Sequence, residues 1–208
     1  TLNMGPQHPS THGVLQVQLE LDGERIVKAT PIMGYLHRGI EKLLEARTYA
    51  QGLPYTDRLD YISAMNNNFG YARAVEELAG IETTPRAEYI RVIMAELNRI
   101  NSHLIFIGTL ANDLGASTGM LYCFRDREKI LDIFNLVCGA RQTFHYIRIG
   151  GVKEELSPAA AEMIRAVVDR GPDFLAEYNR LLTGNEIFVR RIRGTSPMTT
   201  EEALACSM

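Results

Sequence analysis

The feature that most constrains the fold is a long apolar stripe in the middle of the chain. Within residues 86–112, apolar side chains recur every three or four positions, at Ile90, Ile93, Met94, Leu97, Ile100, Leu104 and Ile107. This spacing places them along one face of a helix. A long helix with a single apolar face needs other helices to cover it, so the sequence predicts a helix bundle.

Helical spacing also occurs on both sides of this stripe. We predict further helices over residues 38–49, 57–79, 119–140 and 158–182, and the start of another at Thr199. Gly80 follows the second of these as a C-cap would, and Ser157 with Pro158 is typical of an N-cap and first helical position. The Gly150-Gly151 pair within residues 146–152 predicts a turn or a close backbone approach.

The N-terminal part has a different pattern. Apolar and polar residues alternate from Leu15 to Leu21, Asp22-Gly23 interrupts them, and a second apolar run follows over residues 25–30. Alternation around Asp-Gly predicts a β-hairpin. We therefore predict an α+β fold, with a hairpin domain over residues 1–35 that carries a histidine loop. An antiparallel helical bundle over 36–208, truncated at its C-terminal end, would follow.

Composition excludes several classes of partner and site. The formal net charge is −3 and the isoelectric point is near 6.0, which gives no electrostatic case for nucleic acid. Cys123, Cys138 and Cys206 form no CxxC pair, so neither a disulfide framework nor a cysteine metal site is predicted. The longest apolar stretch, residues 100–114, is interrupted by polar side chains and is too short for a membrane span.

Two histidines lie in an unusual loop ahead of the first predicted strand. His8 and His12 share residues 5–13 with two prolines and two glycines. Prolines exclude a helix here, so the loop should be stiff and could hold the imidazoles in fixed positions for proton exchange. The alternative is that both histidines only make hydrogen bonds in a turn. A metal site is less favoured, because no nearby cysteine or carboxylate completes a set of ligands.

Several blocks of the sequence resemble the quinone-reducing subunit of respiratory complex I, often called the 49 kDa subunit. The matching blocks run collinearly at 5–13 (GPQHPSTHG), 34–42 (GYLHRGIEK), 60–61, 91–97 (RVIMAEL), 102–104, 113–116 (DLGA), 124–128 (FRDRE) and 148–152 (RIGGV). They cover nearly the whole chain, and the resemblance is to the N-terminal half of that protein. It implies a fold related to the large subunits of nickel–iron hydrogenases.

The resemblance implies roles for particular residues. In that family a tyrosine and a histidine hydrogen-bond the quinone carbonyl oxygens, and these match Tyr61 and His12. An aspartate that hydrogen-bonds the histidine matches Asp113. Reduction of a quinone to a quinol needs proton donors at both developing oxyanions, which a phenol and an imidazolium can supply. His8, Arg38 and Arg58 are expected to line the quinone pocket, with the two arginines on the side of a neighbouring iron–sulfur cluster.

The resemblance also implies partners and a location. Quinone would be the substrate, and the terminal iron–sulfur cluster would belong to a neighbouring subunit. A 30 kDa-type subunit and the membrane subunit of the quinone channel are further expected partners in a proton-pumping NADH:quinone oxidoreductase. The chain would lie peripherally on the cytoplasmic face of the bacterial inner membrane, or on the matrix side in a mitochondrion. Neither the type of quinone nor the electron donor follows from the sequence.

Two polar features depart from the family or have a simpler explanation. Many family members have a histidine at the position that aligns with Thr143, whereas His145 lies two residues further on here, so a redox-linked proton site is in doubt. Glu96, Arg99 and His103 share one side of the long predicted helix. They could form a polar relay, but a solvated ion-pair face is the commoner reason for such spacing.

Two other interpretations compete with a quinone-reducing subunit. A hydrogenase large subunit would need a CxxC motif near residues 36–41, and no cysteine occurs there, so thiolate ligands for nickel are missing. A non-catalytic scaffold subunit, with the histidine loop as an interface element, stays open.

Overall fold

The computed structural model describes residues 1–8, 11 and 13–207, and its contacts divide the chain into two compact units. The first unit is Thr1–Gly52 and the second is Leu53–Met208. The predicted α+β class is confirmed, since a small antiparallel sheet precedes a mainly helical body. The predicted division into residues 1–35 and 36–208 stays a prediction.

The N-terminal unit contains a three-stranded antiparallel sheet in the order β1 (Leu2–Met4), β2 (Gln16–Asp22) and β3 (Arg25–Ile32). The predicted hairpin is β2 and β3, whose register runs from Gln16 opposite Ile32 to Asp22 opposite Arg25. Gly23 turns the chain between them with φ of 61°, a conformation that favours glycine. Strand β1 was not predicted, because its partner β2 lies far along the sequence.

The first two predicted helices, over residues 38–49 and 57–79, are both shorter in the structure. In the first segment, helix α1 spans only Ile40–Glu45. A further helix, α2 (Tyr49–Thr56), lies mostly between the two predicted segments. Helix α1 begins after Gly39, which has φ of 62° and therefore cannot continue a helix backwards to Arg38. The predicted helix 57–79 is also shortened: α3 spans Ala64–Ala79, and Gly80 caps it in the left-handed conformation as predicted.

The long central helix is confirmed as α4 (Pro85–Asp113), with Thr84 accepting a hydrogen bond from the Ala87 amide as its N-cap. Helix α5 (Ser117–Cys138) packs along it. The two helices approach closely where Gly108 of α4 faces Cys123, because a Cβ atom added at Gly108 would lie 3.1 Å from the cysteine Cβ. Cys123 belongs to the buried apolar cluster, which also includes Met94, Leu104 and Phe134.

The remaining elements complete the second unit. A two-stranded hairpin, β4 (Ile147–Arg148) and β5 (Gly151–Val152), lies where the sequence predicted a turn. The predicted helix 158–182 is divided into α6 (Pro158–Asp169), α7 (Gly171–Tyr178) and a π-helical turn (Asn179–Thr183). The break lies at Gly171-Pro172, since proline cannot supply an amide to the preceding turn. Helices α8 (Glu186–Ile192) and α9 (Thr200–Ala205) follow.

A buried arginine joins three of these elements. Arg91 of α4 has no exposed side-chain surface and pairs with Glu76 of α3, which is 3% exposed. Its Nε donates to the Gly151 carbonyl at 3.0 Å and its Nη2 donates to the Arg148 carbonyl at 2.6 Å. Glu76 in turn accepts from the Gly150 amide at 2.7 Å. The β4–β5 hairpin is therefore attached to α3 and α4 by hydrogen bonds to one ion pair.

Removal of this arginine should destabilise the chain strongly. Arg91→Ala leaves the buried Glu76 carboxylate without its charge partner, which is expected to lower the free energy of unfolding by about 3–5 kcal/mol. Arg99→Ala on the same helix is the matched control, because Arg99 and its partner Glu96 are each 54% exposed; a change within about 1 kcal/mol is expected there. Denaturant unfolding measures both, and similar losses in the two variants would contradict the assignment of Arg91.

Candidate functional site

The histidine loop of the N-terminal unit is held by short-range contacts. The Thr11 amide and its hydroxyl both donate to the His8 carbonyl, at 3.0 and 2.8 Å. His8 also forms an isolated antiparallel bridge with Gly13. Gly5 has φ of 81°, and a Cβ atom there would overlap the Leu15 carbonyl oxygen, so only glycine fits. Pro9, Ser10 and the predicted proton donor His12 lie outside the described residues.

Arg38 lies in the same unit, on the exposed segment before α1. The next residue, Gly39, donates its amide to His37 Nδ1 at 3.2 Å and begins the helix. Among residues 1–8, 11 and 13–207, no carboxylate forms an ion pair with Arg38. The Arg38 charge is therefore at the surface of this unit, where it is available to a charged group outside the chain.

Tyr61 lies in the second unit, in a tight turn between α2 and α3. The Asp60 carbonyl accepts the Ser63 amide at 2.9 Å, and Asp60 Oδ1 accepts the Ile62 amide at 3.2 Å. The Tyr61 side chain is 55% exposed. No described residue hydrogen-bonds its hydroxyl. A phenol with an exposed, unbonded hydroxyl on a folded turn can donate to an incoming carbonyl oxygen.

A buried carboxylate that the sequence did not single out lies just before this turn. Asp57 is 1% exposed and accepts a hydrogen bond from Asn68 Nδ2 of α3. The same amide nitrogen lies 2.8 Å from the Thr56 hydroxyl. Burial raises the pKa of Asp57 to about 6, against the lowering effects of the Asn68 hydrogen bond and the Arg58 charge. A run of three asparagines, Asn66 to Asn68, was the available sequence signal for this polar cluster.

Arg58 was predicted on the cluster side of a quinone pocket. Its Nη1 donates to the Pro54 carbonyl at 2.7 Å and lies 3.4 Å from Asp57 Oδ2. The Arg58 side chain is 43% exposed while its carboxylate partner is buried. The guanidinium therefore lies at the surface, and its position is fixed by α2 and by Asp57.

Asp113, the third predicted catalytic residue, is the last residue of α4 and is exposed. The chain leaves the helix through Gly115, whose φ is 84°, and the Ala116 amide bonds the Ala111 carbonyl at 2.7 Å. The predicted site residues are therefore distributed over both units. His8 and Arg38 belong to Thr1–Gly52, whereas Arg58, Tyr61 and Asp113 belong to Leu53–Met208.

At Thr143, where the resemblance would place a histidine, the backbone has an unusual conformation. Thr143 has a positive φ of 51°. His145 is half-buried, and Arg148 Nη1 lies 3.1 Å from its Nε2. A guanidinium can only donate, so this ring nitrogen accepts and carries no proton in this arrangement. With its Nε2 engaged in this way, His145 gives no support to a redox-linked proton site.

The polar side of α4 is an exposed ion-pair face at Glu96 and Arg99. Arg99 Nε donates to Glu96 Oε2 at 3.0 Å, and His103 is exposed one turn further on. A solvated face explains Glu96 and Arg99 without a relay.

Within the described ranges, no three His, Cys, Asp or Glu side chains cluster as metal ligands. In the same ranges, no helix is both long enough and apolar enough to cross a membrane.

Comparison with known proteins identifies one family. The model for "Respiratory-chain NADH dehydrogenase, 49 Kd subunit" matches residues 113–208. The corresponding NADH-quinone oxidoreductase subunit of Desulforamulus reducens is 54% identical over 207 residues, which are 100% of this chain and 57% of that protein. Its counterparts in Clostridium beijerinckii and Bacillus anthracis are 54% and 49% identical, over 99% and 100% of this chain and 55% and 57% of their own lengths. The chain thus spans about half the length of the curated relatives it matches.

The buried Asp57 should make stability depend on pH. Its ordinary pKa is 3.8 and its pKa in the fold is about 6, so the folded state binds the proton more tightly. Stability should therefore fall as pH rises from about 4 to about 6. Asp57→Asn removes this effect and is expected to raise the free energy of unfolding, relative to the parent chain, by up to about 3 kcal/mol at pH 7.

Denaturant unfolding at pH 4 and pH 7 measures this difference. Asp169→Asn, at an exposed position at the end of α6, is the control and should alter stability little at either pH. An Asp57→Asn effect of equal size at pH 4 and pH 7 would show that the carboxyl does not titrate in this window.

Proposed function

Because the chain belongs to the family of the 49 kDa subunit of respiratory-chain NADH dehydrogenase, an enzyme also named NADH-quinone oxidoreductase, we propose that it binds quinone and donates protons to it. The observation that carries the proposal is Tyr61, which is 55% exposed on an internally hydrogen-bonded turn and whose hydroxyl has no hydrogen bond to any residue that the structure describes. The Tyr61 hydroxyl can donate to a ligand without first breaking a hydrogen bond to a described residue.

The proposed chemistry is proton donation at both ends of the quinone. Two electrons reduce the ring, and each carbonyl oxygen must then accept one proton to give the quinol. Tyr61 donates to one oxygen, and an imidazolium at His12 donates to the other. Asp113 would stabilise the imidazolium and fix its tautomer through a hydrogen bond. His8 would contribute to the pocket from the same loop as His12.

We propose that the electrons come from a group outside this chain. The thiols of Cys123 and Cys138 are poor ligands for an iron–sulfur cluster, because burial raises their pKa to about 11 and about 12 and so disfavours the thiolate. We assign the terminal cluster to a neighbouring iron–sulfur subunit. Arg38 and Arg58 would lie toward it and raise its reduction potential with their positive charges.

The proposed setting is the peripheral arm of a proton-translocating NADH:quinone oxidoreductase. The partners would be the iron–sulfur subunit, a 30 kDa-type subunit and the membrane subunit of the quinone channel. We place the chain on the cytoplasmic face of a bacterial inner membrane, or on the matrix side of a mitochondrial one. NAD would be bound elsewhere in the complex, and this chain would contribute to electron and proton transport only in the assembly.

A non-catalytic scaffold is the second candidate, because exposed apolar side chains are available to contact other subunits. In the second unit, Tyr89 and Phe106 of α4 are 74% and 61% exposed. In the first unit, Met33 and Leu36 are 76% and 70% exposed. Exposed apolar side chains can pack against other subunits, and such docking is compatible with either function.

Substitution of the proton donors distinguishes the two candidates. Tyr61→Phe and His12→Gln in the assembled complex are each expected to lower quinone reduction by about 10²-fold or more, since a positioned proton donor typically contributes that much. Electron transfer from NADH to an artificial acceptor that bypasses quinone should be unchanged. Tyr89→Phe, at another exposed tyrosine of the second unit, is the matched control and should retain full activity.

The amount of assembled complex must be measured in each variant. Full quinone reduction by both donor variants in normally assembled complex would overturn the proton-donor role. Loss of assembly in these variants, with Tyr89→Phe intact, would instead support the scaffold.

A further inference from the structure

The position of Tyr61 is set by its backbone. Its hydroxyl has no hydrogen bond to any described residue, and more than half of its side chain is exposed. Neither burial nor a polar contact therefore fixes the ring directly. Whatever holds the main chain beside Tyr61 determines where the phenol is presented.

One buried side chain holds the main chain on the C-terminal side of Tyr61. Asn98 of α4 has no exposed surface. Its Nδ2 donates to the Ile62 carbonyl at 2.9 Å, and its Oδ1 accepts the Met65 amide at 2.8 Å. A single amide group thus bonds the residue next to Tyr61 and the first turn of α3. Both contacts span more than 30 positions of sequence, so they join separate elements.

The second of these bonds replaces a local helix cap. Ser63 is the N-cap residue of α3, but its side chain accepts no backbone amide of that helix. Its hydroxyl oxygen instead accepts Asn66 Nδ2 at 2.9 Å. The Met65 amide is one of the first-turn donors that a cap normally satisfies. Asn98 supplies the missing acceptor from the neighbouring helix and so fixes where α3 begins.

We propose that Asn98 is a positioning residue for Tyr61. By bonding Ile62 and Met65 together, it sets the end of the turn that presents the phenol to the quinone oxygen. This inference rests on the proposed function of Tyr61. Asn98 is not itself a catalytic residue, because it is fully buried and both polar atoms of its amide are already engaged.

A double-mutant cycle in the assembled complex tests the inference. Asn98→Ala is expected to lower the quinone-reduction kcat, per assembled complex, by about 10-fold or more, because a misplaced reacting group is costly in rate. In a Tyr61→Phe background the same change should lower kcat less than about 2-fold, since no phenol remains to be positioned. Two substitutions that act through one group are not additive, whereas independent ones are.

Asn101→Leu is the matched control. Asn101 is a second fully buried asparagine of α4, and neither polar atom of its side chain has a hydrogen-bond partner among the described residues. Because it makes no bond to the Tyr61 turn, its replacement should leave kcat unchanged in both backgrounds.

Asn98→Asp keeps the inference testable if Asn98→Ala does not assemble. A carboxyl oxygen at this position still accepts the Met65 amide, so the cap on α3 is kept. Burial favours the protonated form, which can donate to the Ile62 carbonyl, whereas the ionised form cannot. We therefore expect assembly where the carboxyl is protonated, and a loss of kcat that appears as pH rises and the carboxyl ionises and that again depends on the Tyr61 hydroxyl.

The outcomes separate this inference from the proposed function. Equal fold losses with and without the Tyr61 hydroxyl would overturn the positioning role of Asn98 and leave the proton-donor role of Tyr61 intact. Full activity of Tyr61→Phe alone would overturn the proposed function, and the inference with it. A loss confined to the Tyr61 background supports both.

Discussion

The ion pair of Arg91 and Glu76 is the interaction on which the helical unit most depends. A guanidinium removed from water needs its charge balanced and its N–H donors used, and Glu76, Glu88 and two hairpin carbonyls meet that need together. Burial alone would raise the pKa of Glu76, but the Arg91 and Gly150 hydrogen bonds lower it below its ordinary value. Because each partner lies on a different element, the ion pair selects one arrangement of α3, α4 and the β4–β5 hairpin.

Most of the helical architecture could be predicted because its signals are local. The stripe from Ile90 to Ile107, the glycine cap at Gly80 and the N-cap Ser157 each depend on neighbours within a few residues. The errors have local physical causes as well. Helix α3 starts later than periodicity suggests, because the Asp60 side chain and carbonyl form a turn that ends at Ser63. Strand β1 was missed because three residues carry too little pattern without their partner strand.

Residues of the candidate site could be predicted only at positions that match a sequence motif of the family. Tyr61 and Asp113 carry no local signal of function: one is an exposed aromatic residue in a turn and the other ends a helix. Asp57 and Asn98 were missed for the opposite reason. Their importance depends on burial and on partners 11 to 36 positions away, which composition and periodicity do not reveal. Sequence thus indicated the groups that would meet a ligand, and the structure added the groups that hold them in place.

The cap that Asn98 provides for α3 also bears on the order in which the protein folds. A helix capped by its own side chain can complete its first turn before it meets the rest of the chain. The first turn of α3 lacks that independence, since the acceptor for Met65 belongs to α4. The turn containing Tyr61 should therefore reach its final geometry only after the two helices have docked. A nascent or partly unfolded chain would therefore not yet hold its Tyr61 phenol in the position that the docked helices give it.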